Sequence, residues 1–175
     1  MCRKRARDDP PRARRASCGR CAEPVLSLDP RAGSGSHSGL RRAGNWLRAL
    51  GPLGTGFLTG TIDTTTKFDS ATDLRANFPR FTQEAIKANM PVVEVLRSFA
   101  AERNAIPVQV ALAWLLGQKP WIVSIPGMDK IAYIDDNIKS IDLEITAADV
   151  QAINAKMAQI QVEGGRLADG LLSMS

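Results

Sequence analysis

Cys18-Gly19-Arg20-Cys21 is the first group in the chain whose residue types and spacing could do chemistry. Two thiols separated by two residues suit a redox couple or half of a tetrahedral zinc site. The other half is missing, because Cys2 is the only further thiol and His37 the only imidazole. No strand-helix-strand pattern surrounds the pair, so no metal or thiol chemistry is assigned to it. Acid–base chemistry is equally short of groups, with Tyr133 the single phenol. The Arg-rich stretch from Arg3 to Arg20 would attract nucleic acid through charge, but it lacks interleaved aromatics and a recognisable fold, so no specific nucleic acid partner is expected. Asp8-Asp9-Pro10-Pro11 also argues against an organelle-targeting helix. What is left is a turn-rich loop, Gly51-Pro52-Leu53-Gly54-Thr55-Gly56, and a strand-to-helix turn at Ile125-Pro126-Gly127.

The formal net charge of +5 over 175 residues is unevenly spread. Residues 1 to 48 carry a balance of +8 and the remainder −3, so the basic character belongs to an arm and not to the domain. With 44% hydrophobic and 23% charged residues, the chain suits one domain with a modest core. No apolar run is long enough to span a membrane, and the odd set of three cysteines forms no disulfide framework. The expectation is a cytoplasmic chain with no membrane partner.

The elements that must position any site begin late. From Met1 to about Arg48 neither a 3.6 nor a 2.0 period persists, and Gly60 to Asn77 is polar, so ordered structure is expected from Thr82. Thr82 caps a long helix carrying Val92, Val95, Leu96 and Phe99 on one face, with a bend at Pro91. Pro107 opens a second helix ending at Gly117, and Pro120 precedes a short apolar strand, Trp121-Ile122-Val123-Ser124-Ile125. Lys130 to Ile138 and Ala147 to Ile160 read as two more helices, the last opened by a capping box of Thr146 and Asp149. This cadence predicts an α/β fold with parallel strands, but it offers one strand and no partner for it. Trp114, Trp121 and the leucines near them read as core.

Several segments together resemble the C-terminal half of the aldo/keto reductases. They are Pro52-Leu53-Gly54-Thr55-Gly56-Phe57-Leu58-Thr59-Gly60, Phe78-Pro79-Arg80-Phe81, Ala111-Leu112-Ala113-Trp114-Leu115-Leu116, and Ile125-Pro126-Gly127 followed by Asp136-Asn137, over residues 51 to about 160. The resemblance implies a partial (β/α)8 TIM barrel, comprising its C-terminal helices and last strand, behind an irregular basic N-terminal arm. The domains expected are a disordered or out-of-frame segment, 1–50, and a truncated reductase domain, 51–175. The family reaches the Pro-Leu-Gly loop through a strand ending G-F-V-P, which residues 1 to 50 do not show as written. The same nucleotides read one base later permit the missing family segment, including G-F-V-P from Trp46-Leu47-Arg48-Ala49. The basic arm is therefore expected to be a shifted reading frame.

Cofactor residues carry over from the resemblance position by position. Pro52, Leu53 and Gly54 correspond to the loop that meets the cofactor phosphates. Gly127, Met128, Lys130, Asp136 and Asn137 correspond to the adenosine end, where a helix N-terminus and a lysine suit a 2′-phosphate. The family commonly has a small hydroxyl residue where Met128 stands and an arginine where Tyr133 stands, which weakens the case for NADP over NAD. Asp73, Arg75, Asn77 and Arg80 fall on a loop that borders the family's substrate pocket, and are read as solvated. The catalytic tyrosine, lysine, aspartate and histidine of the family match nothing here, since Tyr133 lies on the adenosine side and His37 in the arm. No catalytic residue is assigned. The reading is an NAD(P)H-dependent oxidoreductase lineage acting on aldehydes and ketones, inactive alone, with weak or absent NADP binding. Its partners are a small carbonyl substrate and a complementing N-terminal barrel half. The alternative is a non-catalytic helical interaction module with a basic anchoring arm.

Overall fold

Leu47-Arg48-Ala49-Leu50 alternates between buried and exposed positions, the period of a strand with one covered face. In the computed structural model, which describes residues 47–165, it is the first strand, β1. It pairs in parallel with β2, Ile122–Ile125, in the register Leu47 to Ile122 through Leu50 to Ile125. Two expectations are thereby corrected. Residues 47 to 50 are not part of an irregular arm, and β2 is not a lone strand. The signal was weak because β1 has only four residues, one of them Arg48, and its partner lies far along the chain. Residues 1–46, with the cysteine pair and His37, lie outside the described residues.

Four helices supply the rest of the frame. Helix α1, Gln83–Glu102, begins where the Thr82 hydroxyl accepts the Ala85 N–H at 3.2 Å, and it runs on through exposed Pro91. Its inner face carries Ile86, Val92, Val93, Leu96 and Phe99. Asn104, at φ +50, follows its end. Helix α2, Pro107–Gln118, starts on proline, whose missing N–H costs nothing in a first turn, and the Gln109 side chain accepts the Ile106 N–H at 3.2 Å. Helix α3, Ile131–Ile138, follows β2. Helix α4, Ala147–Met157, has the expected reciprocal cap: Asp149 N–H donates to the Thr146 hydroxyl and Thr146 N–H to the Asp149 carboxylate. It stops short of the expected Ile160, because the Gln159 and Ile160 N–H groups donate to the Lys156 and Met157 carbonyls, three residues back, and tighten the end into turns.

The helices are fastened to one another by a few polar contacts. The Arg103 guanidinium donates to Asp149 at 2.6 Å, joining the end of α1 to the start of α4. Trp114 Nε1 donates to Asn154 at 2.8 Å, joining α2 to α4. Ordered structure begins well before Thr82. Three 3-10 turns, Phe57–Thr59, Leu74–Asn77 and Pro79–Phe81, punctuate the polar stretch, and Phe57, Ile62, Phe78 and Phe81 sink into the core. Edge-on contacts of Phe81 with Phe57 and Phe68 hold this stretch down, at centroid separations of 6.3 and 5.3 Å.

Among the described residues the sheet is covered on one face only. Leu47, Ala49 and Ile122 join the core with the helices, whereas Arg48, Leu50, Val123 and Ile125 point the other way and are exposed. This α/β arrangement of two parallel strands and four helices agrees with part of the barrel implied by the resemblance. Among the described residues no helix is long and apolar enough to cross a membrane.

Candidate functional site

The loops that carry the expected cofactor residues leave neighbouring strand ends. Leu50 and Ile125 are register partners, so Gly51 and Pro126 begin their loops side by side, at the C-terminal edge of the parallel pair. Parallel pairing alone brings these distant segments to one edge.

The first loop is built, not slack. Gly54 N–H donates to Gly51 carbonyl at 3.0 Å, and the Gly56 and Leu58 N–H groups both donate to Leu53 carbonyl at 3.1 Å. Pro52 and Gly54 are buried, and Leu53 packs against the core. Gly54 has φ +59, yet a Cβ there would meet only ordinary contacts at 3.7 and 3.8 Å, so conformation and not space selects glycine. Thr55 adopts φ +57 without being glycine, a strained state for a β-branched residue that costs about 1–3 kcal/mol.

The second loop is open. Nothing lies within 4 Å of a Cβ built on Gly127, and Met128 is exposed. Lys130 is the N-cap residue of α3, without a side-chain cap bond. Its ammonium lies 3.4 Å from the Tyr133 hydroxyl and 5.2 Å from that ring's centre. A cation beside the positive end of a helix is unfavourable for the protein alone, and both attract an anion. Asp136 lies 3.6 Å from the Lys139 ammonium on the surface. Asn137 is nearly buried, and its carbonyl accepts the Ser140 hydroxyl at 2.6 Å, which ties it to the helix end.

The stretch bordering the first loop corrects an expectation. Asp73 and Arg75 are half-buried and paired through a fork of hydrogen bonds, and the Arg75 guanidinium stacks over Phe68 at 4.7 Å. The side-chain bond from Arg75 holds the Asp73 carboxyl below its ordinary range and raises the guanidinium in turn. Arg80, read as solvated, is 6% exposed, while Asn77 is exposed as expected. The aromatic cluster pulls this segment inward, and aromatic residues dispersed in a polar run give no periodic signal. Buried Asn89 was likewise missed, because a single polar residue on a helix carries no pattern.

Among the described residues no cluster of three or more His, Cys, Asp or Glu side chains could hold a metal. Tyr133 is the only phenol, and it sits half-exposed on α3.

The sequence model of the aldo/keto reductase family matches residues 41–158, and so begins ahead of the motifs at residue 51. Aldo-keto reductase str7 of Strobilurus tenacellus is 33% identical over 73% of this chain and 38% of its own length. Aldo-keto reductase yakc of Schizosaccharomyces pombe, whose name specifies NADP(+), is 33% identical over 68% of this chain and 35% of its own length. Probable aldo-keto reductase 1 of Glycine max is 33% identical over 75% and 37%. The chain thus spans little more than a third of these relatives. With the family model covering well over half of the sequence, and two parallel strands delivering the matched loops to one edge, the chain belongs to the aldo/keto reductase family.

Proposed function

We propose that this chain supplies the last two strands and surrounding helices of an aldo/keto reductase barrel, and with them the adenosine and phosphate side of a nicotinamide cofactor site. The observation that carries this reading is the open face of the sheet. Leu50, Val123 and Ile125 are apolar and about 39–47% exposed on the side that would face the interior of a closed barrel. Such faces are normally filled by side chains from other strands. The isoleucines of α3 and the segment after it, at positions 131, 134, 138 and 141, are also exposed, as if a neighbouring wall were absent.

The residues present fit the cofactor's anionic end. The open space at Gly127 admits a phosphate, Lys130 and the start of α3 supply positive potential, and the turn at Pro52, Leu53 and Gly54 lies beside them at the neighbouring strand end. NADP is proposed as the cofactor on Lys130 alone, since Met128 and Tyr133 offer its 2′-phosphate neither the hydroxyl nor the guanidinium common in the family. A bound nicotinamide would supply the hydride for reduction of a small aldehyde or ketone. Asp136 and Asn137 would meet the adenine, while no described residue stands where the family holds its proton donor. The chain alone is therefore inactive, and it binds NADPH weakly because it holds only one end of the molecule. The complementing partner is the N-terminal barrel portion, and the cytoplasm is the compartment that suits this chemistry. A shifted reading frame is proposed for the residues ahead of 41, where the family match begins, and the nucleotide sequence encoding them tests it.

Co-expression of the chain with the preceding barrel portion of the Schizosaccharomyces pombe relative tests the reading. The expected result is a soluble complex that oxidises NADPH in the presence of an aldehyde, and no turnover by the chain alone. Turnover by the isolated chain, or a mixture no more soluble than its parts, would overturn it. In a parallel titration of the isolated chain, followed by tryptophan fluorescence, a micromolar NADPH constant would contradict the weak-binding claim.

A further inference from the structure

Asn89 is fully buried on the inner face of α1, where an unpaired amide would be costly. Both ends of its side chain are used on one residue far along the chain. Nδ2 donates to the Glu163 carbonyl at 2.9 Å, and the Glu163 N–H donates to Oδ1 at 2.9 Å. This is the pairing a strand would offer, supplied by a side chain. Buried Arg80 continues it, with Nε and Nη2 donating to the Gly164 carbonyl at 3.3 and 3.2 Å.

The cradle is selective for backbone shape. Gly164 sits at φ +79, and a Cβ there would lie 2.6 Å from the Pro79 carbonyl oxygen and 2.7 Å from Arg80 Cα. Neither atom belongs to a flexible side chain, so only glycine fits. The Glu163 side chain, by contrast, lies on the surface beside Gln161.

We infer that Asn89 and Arg80 form a main-chain-reading latch for the segment 161–165, and that the latch ties this segment to the glycine-containing loop at the strand ends. The connection is short and packed. Arg80 is the neighbour of Phe81 in one 3-10 turn, and the Phe81 ring stands edge-on against Phe57, whose N–H donates to the Gly54 carbonyl. Arg75, in the preceding 3-10 turn, lies 3.4 Å from the position of a Cβ on Gly56. Opening of the segment is therefore felt at the loop of residues 51–60, through this packed chain of contacts.

Amide hydrogen exchange on the full chain tests this. Gly164→Ala is expected to speed exchange of the Glu163 N–H, the amide of this segment that donates to Asn89, by about tenfold or more, the scale of losing the hydrogen bonds to Asn89 and Arg80. A smaller acceleration should follow at 78–81 and 54–60, with no change in α4. Glu163→Ala should leave all of these at wild-type rates, since only its main chain is read. Unchanged exchange of the Glu163 N–H in G164A would refute the latch, and its opening without any response at 54–60 would refute the coupling. Should G164A not fold, the wild-type chain still decides: the Glu163 N–H must exchange far more slowly than the exposed Gln161 N–H, and equal rates would overturn the proposal.

Discussion

The pairing of β1 with β2 makes a sharp claim about side-chain direction, because a slip of one residue turns every side chain of a strand to the other face. Leu47 is fully buried, and Leu50, at the other end of the same four-residue strand, is 47% exposed on the open face. Leu47→Ala removes a branched group worth about 2.4 kcal/mol at ~0.8 kcal/mol per carbon, and a cavity within the core raises the cost to ~3–5 kcal/mol. Leu50→Ala removes the same atoms from a half-hydrated site that encloses no cavity, so about 1 kcal/mol or less is expected. Against a total of ~5–15 kcal/mol for a domain, the first change is large and the second minor. Urea unfolding of the full chain, followed by far-ultraviolet circular dichroism, should show a much lower midpoint for Leu47→Ala at an unchanged slope. A larger loss for Leu50→Ala would mean that the register is shifted. Equal and negligible losses would mean that residues 47–50 form no strand, and would remove the basis for placing the two loops side by side.

Three further outcomes follow from particular contacts. Gly117→Ala would place a Cβ 2.9 Å from Val150 Cγ2, so it should destabilise by ~1–3 kcal/mol. Combining it with Val150→Ala should recover part of that loss in a double-mutant cycle, and strict additivity would contradict the contact. Thr146→Ala removes the acceptor for Asp149 N–H at the start of α4 and should cost ~1 kcal/mol in the same urea assay; a neutral result would show that the cap is not formed. The Asp73 carboxyl, held down chiefly by the Arg75 side chain, should titrate below its ordinary value of 3.8 by NMR. Because the folded value is the lower one, the contribution of this pair is complete above the ordinary value and disappears as the pH falls through the lowered one. A midpoint at or above 3.8 would refute the pairing, and Arg75→Ala should move it up toward the ordinary value, with the backbone N–H of residue 75 still lowering it.

The helices were legible in the sequence because their determinants are local. A capping residue and the backbone N–H that donates to it lie three positions apart, as with Thr82 and Ala85 or Thr146 and Asp149, and an apolar face repeats within one turn. Strand β2 was legible as a continuous apolar run, and the family motifs were legible because each is a short contiguous stretch of sequence. What only the tertiary structure decided depends on residues far apart in the chain. Strand β1 has too few residues to announce itself, and it exists because β2, over seventy positions later by the register of Leu47 with Ile122, satisfies its backbone. The burial of Arg80 and Asn89 was equally invisible, since a polar side chain enters a core only when a partner waits there, and the partner here is the main chain of Glu163 and Gly164. Side-by-side placement of the Gly51 and Pro126 loops has the same origin: local chemistry shaped each turn, and the register between two parallel strands brought them to one edge.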